Sequence, residues 1–197
     1  MALSIEEKKR NMRRRMRERL RAVSSADRTA AGQRVSERLE SAAILSNATT
    51  ILAFYPMQTE IDIVPYLNSV LDSGARLVLP RVDDDRRLNL IEVENLDAHL
   101  NNGAYGIMEP SYGLPPVSPS ELDAIIAPGL AFAPTGERLG QGGGFYDRLL
   151  AGVRRSDCPV IGVSYDFQIV DTIPTEPTDM TVDAVATDGQ FVIVSGR

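Results

Sequence analysis

Cysteine, histidine and lysine are nearly missing from this chain: 197 residues contain one cysteine, one histidine and two lysines. Each shortage closes a route. Cys158 alone cannot form an internal disulfide, and the N-terminus lacks the apolar stretch and small-residue cleavage site of a secretion signal, so a reducing, cytoplasmic setting is expected. Too few histidines and cysteines occur for a zinc site of the usual ligand type. A Ser-His-Asp triad would have to use His99, and no Gly-x-Ser-x-Gly elbow is present. A Schiff-base lysine could only be Lys8 or Lys9. No apolar run approaches the roughly 18 to 20 residues a membrane span needs. Catalysis by this chain would therefore rest mainly on positioning and electrostatics, as phosphoryl transfer does.

Charge is present but unevenly placed. Residues 8–21 carry a net charge of +8, so the remainder must carry −14 to give the total of −6. Ser4 followed by Glu7 is a capping box, and Ile5, Met12, Met16 and Leu20 recur at helical spacing, so this basic segment reads as a helix. A second helix is expected after Ser25 or Asp27. Then strands and helices alternate. TTILAFYPM (49–57), ARLVLPRV (75–82) and LNLIEV read as strands, with a helix closed by Gly74 between the first two. Residues 95–121 read as a long irregular connection and a candidate lid. ELDAIIAPGLAF (121–132) and CPVIGVSY (158–165) are buried-looking strands, DFQIVDTIP a short helix, and the end a strand pair about Asp188-Gly189. This pattern predicts a three-layer α/β fold, a Rossmann-like, mostly parallel sheet flanked by helices. One domain over 1–197 is expected, with the helices of 1–45 packed on the α/β core.

The segment GERLGQGGGFYDRLLAG (136–152) follows a buried strand and opens a helix from about Phe145. Glycines let backbone N–H groups approach a ligand, and the helix N-terminus favours an anion. The P-loop lysine is absent, and neither GxxxxGK[ST] nor GxGxxG is completed. Arg138 and Arg148 could address phosphate oxygens, and Asp147 could hold a divalent cation. A tight turn with a surface Arg–Asp pair is the alternative.

The stretch APGLAFAPTGERLGQGGGFYDRLL resembles the signature of the 5-formyltetrahydrofolate cyclo-ligase (methenyltetrahydrofolate synthetase) family. ILAFYPMQTEID is similar to that family's substrate segment, VDTIPTEPTDMTVDAVATD to its C-terminal segment, and Lys9-x-x-x-Arg13 with Arg17 to its opening helix. The resemblance covers nearly the whole chain. It implies ATP- and Mg²⁺-dependent conversion of 5-formyltetrahydrofolate to 5,10-methenyltetrahydrofolate, through phosphorylation of the formyl oxygen.

Residue by residue, the resemblance implies that Lys9, Arg13, Arg138, Leu139, Gly140, Gln141, Gly142, Gly143 and Gly144 hold the nucleotide. Phe145 and Tyr146 would stand where nucleotide and folate meet. Arg138 and Arg148 would be catalytic, and Asp147 and Asp179 would hold Mg²⁺. Tyr55, Met57, Glu60 and Tyr105 would bind the folate, with Glu60 accepting hydrogen bonds from the aminopyrimidine. The chain departs from the family pattern at Gln141 (often Tyr or a basic residue), Gly143 (sometimes Lys), Phe145 (commonly Tyr) and Thr178 (often His). The expected partner is a small folate, possibly polyglutamylated, with no membrane and a monomeric or weakly dimeric state. Two alternatives stand beside this: nonspecific nucleic-acid binding by the arginine-rich helix, against which the acidic remainder speaks, and a family fold with a drifted substrate.

Overall fold

Ser4 starts the first helix. Its hydroxyl accepts a bond from the Glu7 amide, and the Glu7 carboxylate accepts one from the Ser4 amide, which is the expected capping box. In the computed structural model, which describes residues 3–83, 85, 87–103, 107–153 and 157–194, helix α1 runs Ile5–Arg21 and buries only Lys9, Met16 and Leu20. The rest of its surface is a wide cationic face. Helix α2 (Ser25–Glu40) is capped by Ser24, one residue ahead of the expected start. The chain continues as β1 (Thr50–Leu52), α3 (Val64–Asp72), β2 (Arg76–Val82), β3 (Leu88–Val93), α4 (Leu96–His99), β4 (Leu100–Asn102) and β5 (Met108–Pro110). It ends with β6 (Ala124–Pro128), β7 (Ala131–Phe132), β8 (Arg138–Leu139), α5 (Phe145–Val153), β9 (Val160–Ser164), β10 (Ala184–Thr187) and β11 (Phe191–Ile193).

Seven strands form one sheet in the order β11-β10-β9-β6-β1-β2-β3. The five inner strands are parallel, and the two edge strands β3 and β11 run antiparallel to their neighbours. Because strand side chains alternate, each inner strand feeds both faces. Ile51, Leu77, Leu79, Ile126, Ile161 and Ala184 join Met16, Val35, Leu39 and Leu67 from α1, α2 and α3 in one apolar cluster. Leu52, Val78, Ile125, Val160 and Val185 join Leu150 and Val153 of α5 and Phe132 in the other. The result is the expected three-layer α/β arrangement, in which each fully buried Leu or Ile contributes about 1.5–3 kcal/mol.

Three expectations change in detail. The 95–121 connection is not wholly irregular: it holds α4, a β4–β5 hairpin and a 3-10 turn at Pro119–Glu121, and Val117 donates its amide to Leu90. The strand expected over 121–132 stops at Pro128, and β7 then pairs with β8 as a separate hairpin whose Leu130 amide bonds Leu139. The short helix expected in DFQIVDTIP is a single 3-10 turn over Asp166–Gln168.

Candidate active site

Strand β1 pairs with β2 on one side and β6 on the other, so the chain reverses its winding direction between β1 and β6. A crevice opens at the carboxyl ends of strands at such a switch point. The segment after β1 supplies Tyr55, Met57 and Glu60, and the segment after β6 supplies Pro128, Gly129 and the glycine loop. Together they line a cavity of about 550 Å³. Arg138, Gly140, Gln141, Gly142, Gly143 and Gly144 line the same cavity, as do Phe145, Tyr146 and Asp147. Pro80, Val82 and Leu88 from β2 and β3, with Ile107 to Glu109, complete the lining.

The glycine loop ends where α5 begins. Gly144 has φ +67°, a conformation that L side chains rarely adopt, so the backbone itself favours glycine there. Arg138 is buried, with only 3% of its side chain exposed. Its Nη2 donates to Asp147 Oδ1 at 2.7 Å and its Nη1 to the Pro128 carbonyl at 3.3 Å. The guanidinium also lies 5.7 Å from the centre of the Tyr146 ring. Asp147, expected to meet a metal, is thus the counter-ion of Arg138, and its Oδ1 also accepts the Met180 amide. Arg138 Nε and the Tyr146 hydroxyl are buried with no partner among the described residues. Two buried donors left over at a cavity mark where ligand oxygens fit.

Glu60 lines the same cavity. Met57 donates its amide to Glu60 Oε2 at 3.0 Å, closing a tight turn. Burial pushes the Glu60 carboxyl up to about 7, against the pull of the Met57 amide, Arg28 and Gln141 toward the charged form. The residue is half-buried by accessibility because it faces the open cavity, while its carboxyl is enclosed by protein. Tyr146 feels the same charge: burial first, then Glu60, push its hydroxyl above the ordinary phenol range, and Arg138 opposes them.

The cationic helix serves the loops rather than the cavity. Lys9, only 5% exposed, donates to Glu176 at 2.7 Å and Asp179 at 2.5 Å. Burial alone would lower its ammonium, but the two carboxylates outweigh that and hold it above its ordinary value. Arg13 Nε donates to the Gly140 carbonyl at 3.0 Å, and Arg17 binds Gln141. Neither Lys9, Arg13 nor Asp179 lines the cavity. Arg148 is likewise outside the lining, 5.3 Å from the centre of the Phe145 ring. Leu139 is 1% exposed and its side chain belongs to the core, so only its backbone can serve the loop. Tyr105 lies outside the described residues. Among the described residues no group of three or more His, Cys, Asp and Glu gathers.

Two residues of α2 escaped sequence reasoning. Arg28 Nε donates to the Glu60 carbonyl at 2.9 Å, and its Nη1 meets Asp62 at 3.5 Å. Four residues on, Gly32 lies so close that a Cβ would stand 2.2 Å from the Asp62 carbonyl oxygen. The two share one helical face and hold α2 against residues 57–62. Their spacing was visible, but nothing in it named the loop they touch.

Comparison with known proteins agrees with this geometry. The sequence matches the 5-formyltetrahydrofolate cyclo-ligase family over residues 5–188. It is 31% identical to the 5-formyltetrahydrofolate cyclo-ligase of Escherichia coli strain K12 over 174 residues, covering 87% of this chain and 96% of that one. The enzyme of the same name from Mycolicibacterium smegmatis is 33% identical over 148 residues, 73% of this chain and 76% of the relative. In structure, the chain superposes on the 5,10-methenyltetrahydrofolate synthetase of Aquifex aeolicus with a TM-score of 0.84 at 32% identity, covering 96% and 94% of the two chains. The synthetase of Mycoplasma pneumoniae gives 0.74 at 25% identity, covering 91% and 98%. With a family match spanning nearly its whole length and the family's loop and turn lining one cavity, the chain belongs to the 5-formyltetrahydrofolate cyclo-ligase family.

Proposed function

We propose that this chain catalyses the ATP-dependent cyclisation of 5-formyltetrahydrofolate to 5,10-methenyltetrahydrofolate, releasing ADP and phosphate. The observation that supports it most is the single cavity of about 550 Å³ that the glycine loop and Glu60 line together. A ring system and a triphosphate end need to meet in one water-poor space for a phosphoryl group to pass between them. The formyl oxygen is a poor leaving group until phosphorylated: its attack on the γ-phosphorus breaks the bond to ADP. Folate nitrogen-10 then attacks the activated carbon, loses its proton, and the C–O bond breaks as phosphate departs.

Each wall has its task. Glu60, as a carboxylate, accepts the paired N–H groups of the aminopyrimidine, with Tyr55 and Met57 against the flat ring. Arg138 and the loop amides through Gly144 neutralise charge on the transferred phosphoryl group, and Phe145 and Tyr146 keep water from the junction. The unpartnered Arg138 Nε and Tyr146 hydroxyl fit that role, since a bound oxygen would satisfy them. Lys9, Arg13 and Arg17 act one step back, fixing the loop and the 176–179 segment that frame the phosphates. Mg²⁺ bound mostly by phosphate oxygens needs one or two protein carboxylates, and Asp147, at the cavity, would be its holder. The ion would offset phosphate charge. Asp179, tied to Lys9, would reach it only on exchanging that partner. We propose a cytoplasmic protein, monomeric or weakly dimeric; its one cysteine, Cys158, is buried and cannot close an internal disulfide, which suits a reducing setting.

The test is direct. Purified protein mixed with 5-formyltetrahydrofolate and MgATP should develop the near-ultraviolet absorbance of the methenyl product, and Glu60→Ala should suppress it. ATP binding without product would mean that the loop serves a different substrate.

A further inference from the structure

The loop from Gly140 to Gly144 carries one side chain, that of Gln141. It stands between two charged groups. Arg17 donates to Gln141 Oε1 through Nε at 3.2 Å and Nη2 at 3.0 Å, and Nη2 also reaches the Gln141 carbonyl at 3.0 Å. A carboxamide has its acceptor and donor ends on opposite sides. Because Oε1 is held by the guanidinium, the NH₂ group is left to donate elsewhere, and Gln141 lines the cavity with Glu60. The Gln141 amide interacts with the Glu60 carboxyl there and favours its charged form.

We propose that Gln141, oriented by Arg17, is a folate-side positioning residue that aligns the Glu60 carboxylate and so sets the glycine loop and the folate wall as one unit. This rests on Glu60 receiving the aminopyrimidine. The carboxyl accepts the Met57 amide from its own turn, and Gln141, on the same cavity, pulls it toward the charged form. Arg28 of α2 bonds the Glu60 backbone carbonyl instead, with Asp62 as its partner, and acts on the carboxyl only through space. From α5, the Tyr146 hydroxyl faces the same charge, and Arg138 stands beyond its ring. Gln141 is therefore the side chain of the 140–144 loop placed to link it to the folate carboxylate. A nucleotide that orders the loop would order Gln141, strengthen the carboxylate and tighten folate, and folate would tighten nucleotide by the same factor.

The full-length protein is assayed for the KM of folate and of ATP from about pH 6 to 9. Gln141→Leu is expected to raise the folate KM about tenfold at neutral pH, with a much smaller effect on the ATP KM, because one hydrogen bond to a charged group is lost. The pH at which folate affinity is half-lost should move upward, a readout that a loosened loop alone would not shift. Arg17→Met should move the same quantities in the same direction by less, and Gln141→Glu by more. An unchanged midpoint in Gln141→Leu, or a rise confined to the ATP KM, overturns the assignment. Glu60→Ala separates the two ideas: if it keeps full folate affinity, the Glu60 reading itself falls, whatever Gln141 does.

Discussion

The glycine loop and the Glu60 turn line one cavity, and each buries a charge, but by different means. In the loop, Arg138 is enclosed beside its own counter-ion, Asp147, at 2.7 Å. In the turn, the Glu60 carboxyl has only an amide donor and Gln141 close by, while Arg28 spends its shortest bond on the backbone carbonyl. Arg138 and Asp147 offset each other's charge at contact, whereas the enclosed Glu60 carboxyl, without a direct cation, is pushed up to about 7. The two walls of the same site are therefore tuned differently, one fixed and one poised.

The largest effect should come from breaking the fixed wall. Arg138→Met leaves Asp147 without its cation in a partly buried place, so unfolding in denaturant should show a loss on the order of 3 kcal/mol, with turnover falling below detection. If stability is unchanged, the pair does not hold the loop. Next is the poised wall. Glu60 has a higher proton affinity folded than unfolded, where the usual value is 4.5. Between pH 4.5 and about 7 the unfolded chain binds fewer protons, so stability falls as pH rises through that window and levels off above it. Glu60→Gln should remove this slope, leaving the protein more stable at pH 8 by on the order of 3 kcal/mol at most, while folate binding drops about 100-fold. Wild-type folate affinity should move oppositely, weakening as pH falls below about 7. A variant that loses stability at pH 8 would contradict the burial of the carboxyl.

A smaller change tests the clamp between helix and turn. Gly32→Ala must displace the Asp62 carbonyl, costing about 1–3 kcal/mol and raising the folate KM with little change in the ATP KM. Equal changes in both would place the clamp on the wrong wall. The smallest effect is expected at Arg14 and Arg15, both exposed on α1: Gln at either should shift stability by less than about 0.5 kcal/mol and leave both KM values unaltered. A strong loss there would show that the cationic face, and not Arg13 and Arg17 alone, serves the site.

How much of this could be read from the chain depended on whether the signal was local. The capping box of Ser4 and Glu7, the alternation of strands with helices and the glycine loop all report on neighbours within a few residues, and all appear in the structure. The β4–β5 hairpin inside 95–121 was missed because its strands are three residues each, too short for a period to register. Arg138 with Asp147 was legible as a pair of charges near a loop, but whether they met a ligand or each other was not.

By itself, the sequence determined the layers: apolar alternation along each strand decides which side chains can face which core, and that is a property of the backbone period. It also determined the chemistry on offer, since a chain with so few lysines and histidines, but with arginines and a glycine loop, is left to position and neutralise. Only the tertiary structure decided the partners. Arg28 and Gly32 meet the Glu60 turn, Lys9 meets the 176–179 segment, and Gln141 meets Arg17 and shares a cavity with Glu60 because the reversal between β1 and β6 folds distant segments onto one crevice. Charges far apart along the chain acquire their protonation and their roles from that closure, since burial and the nearest opposite charge are three-dimensional quantities.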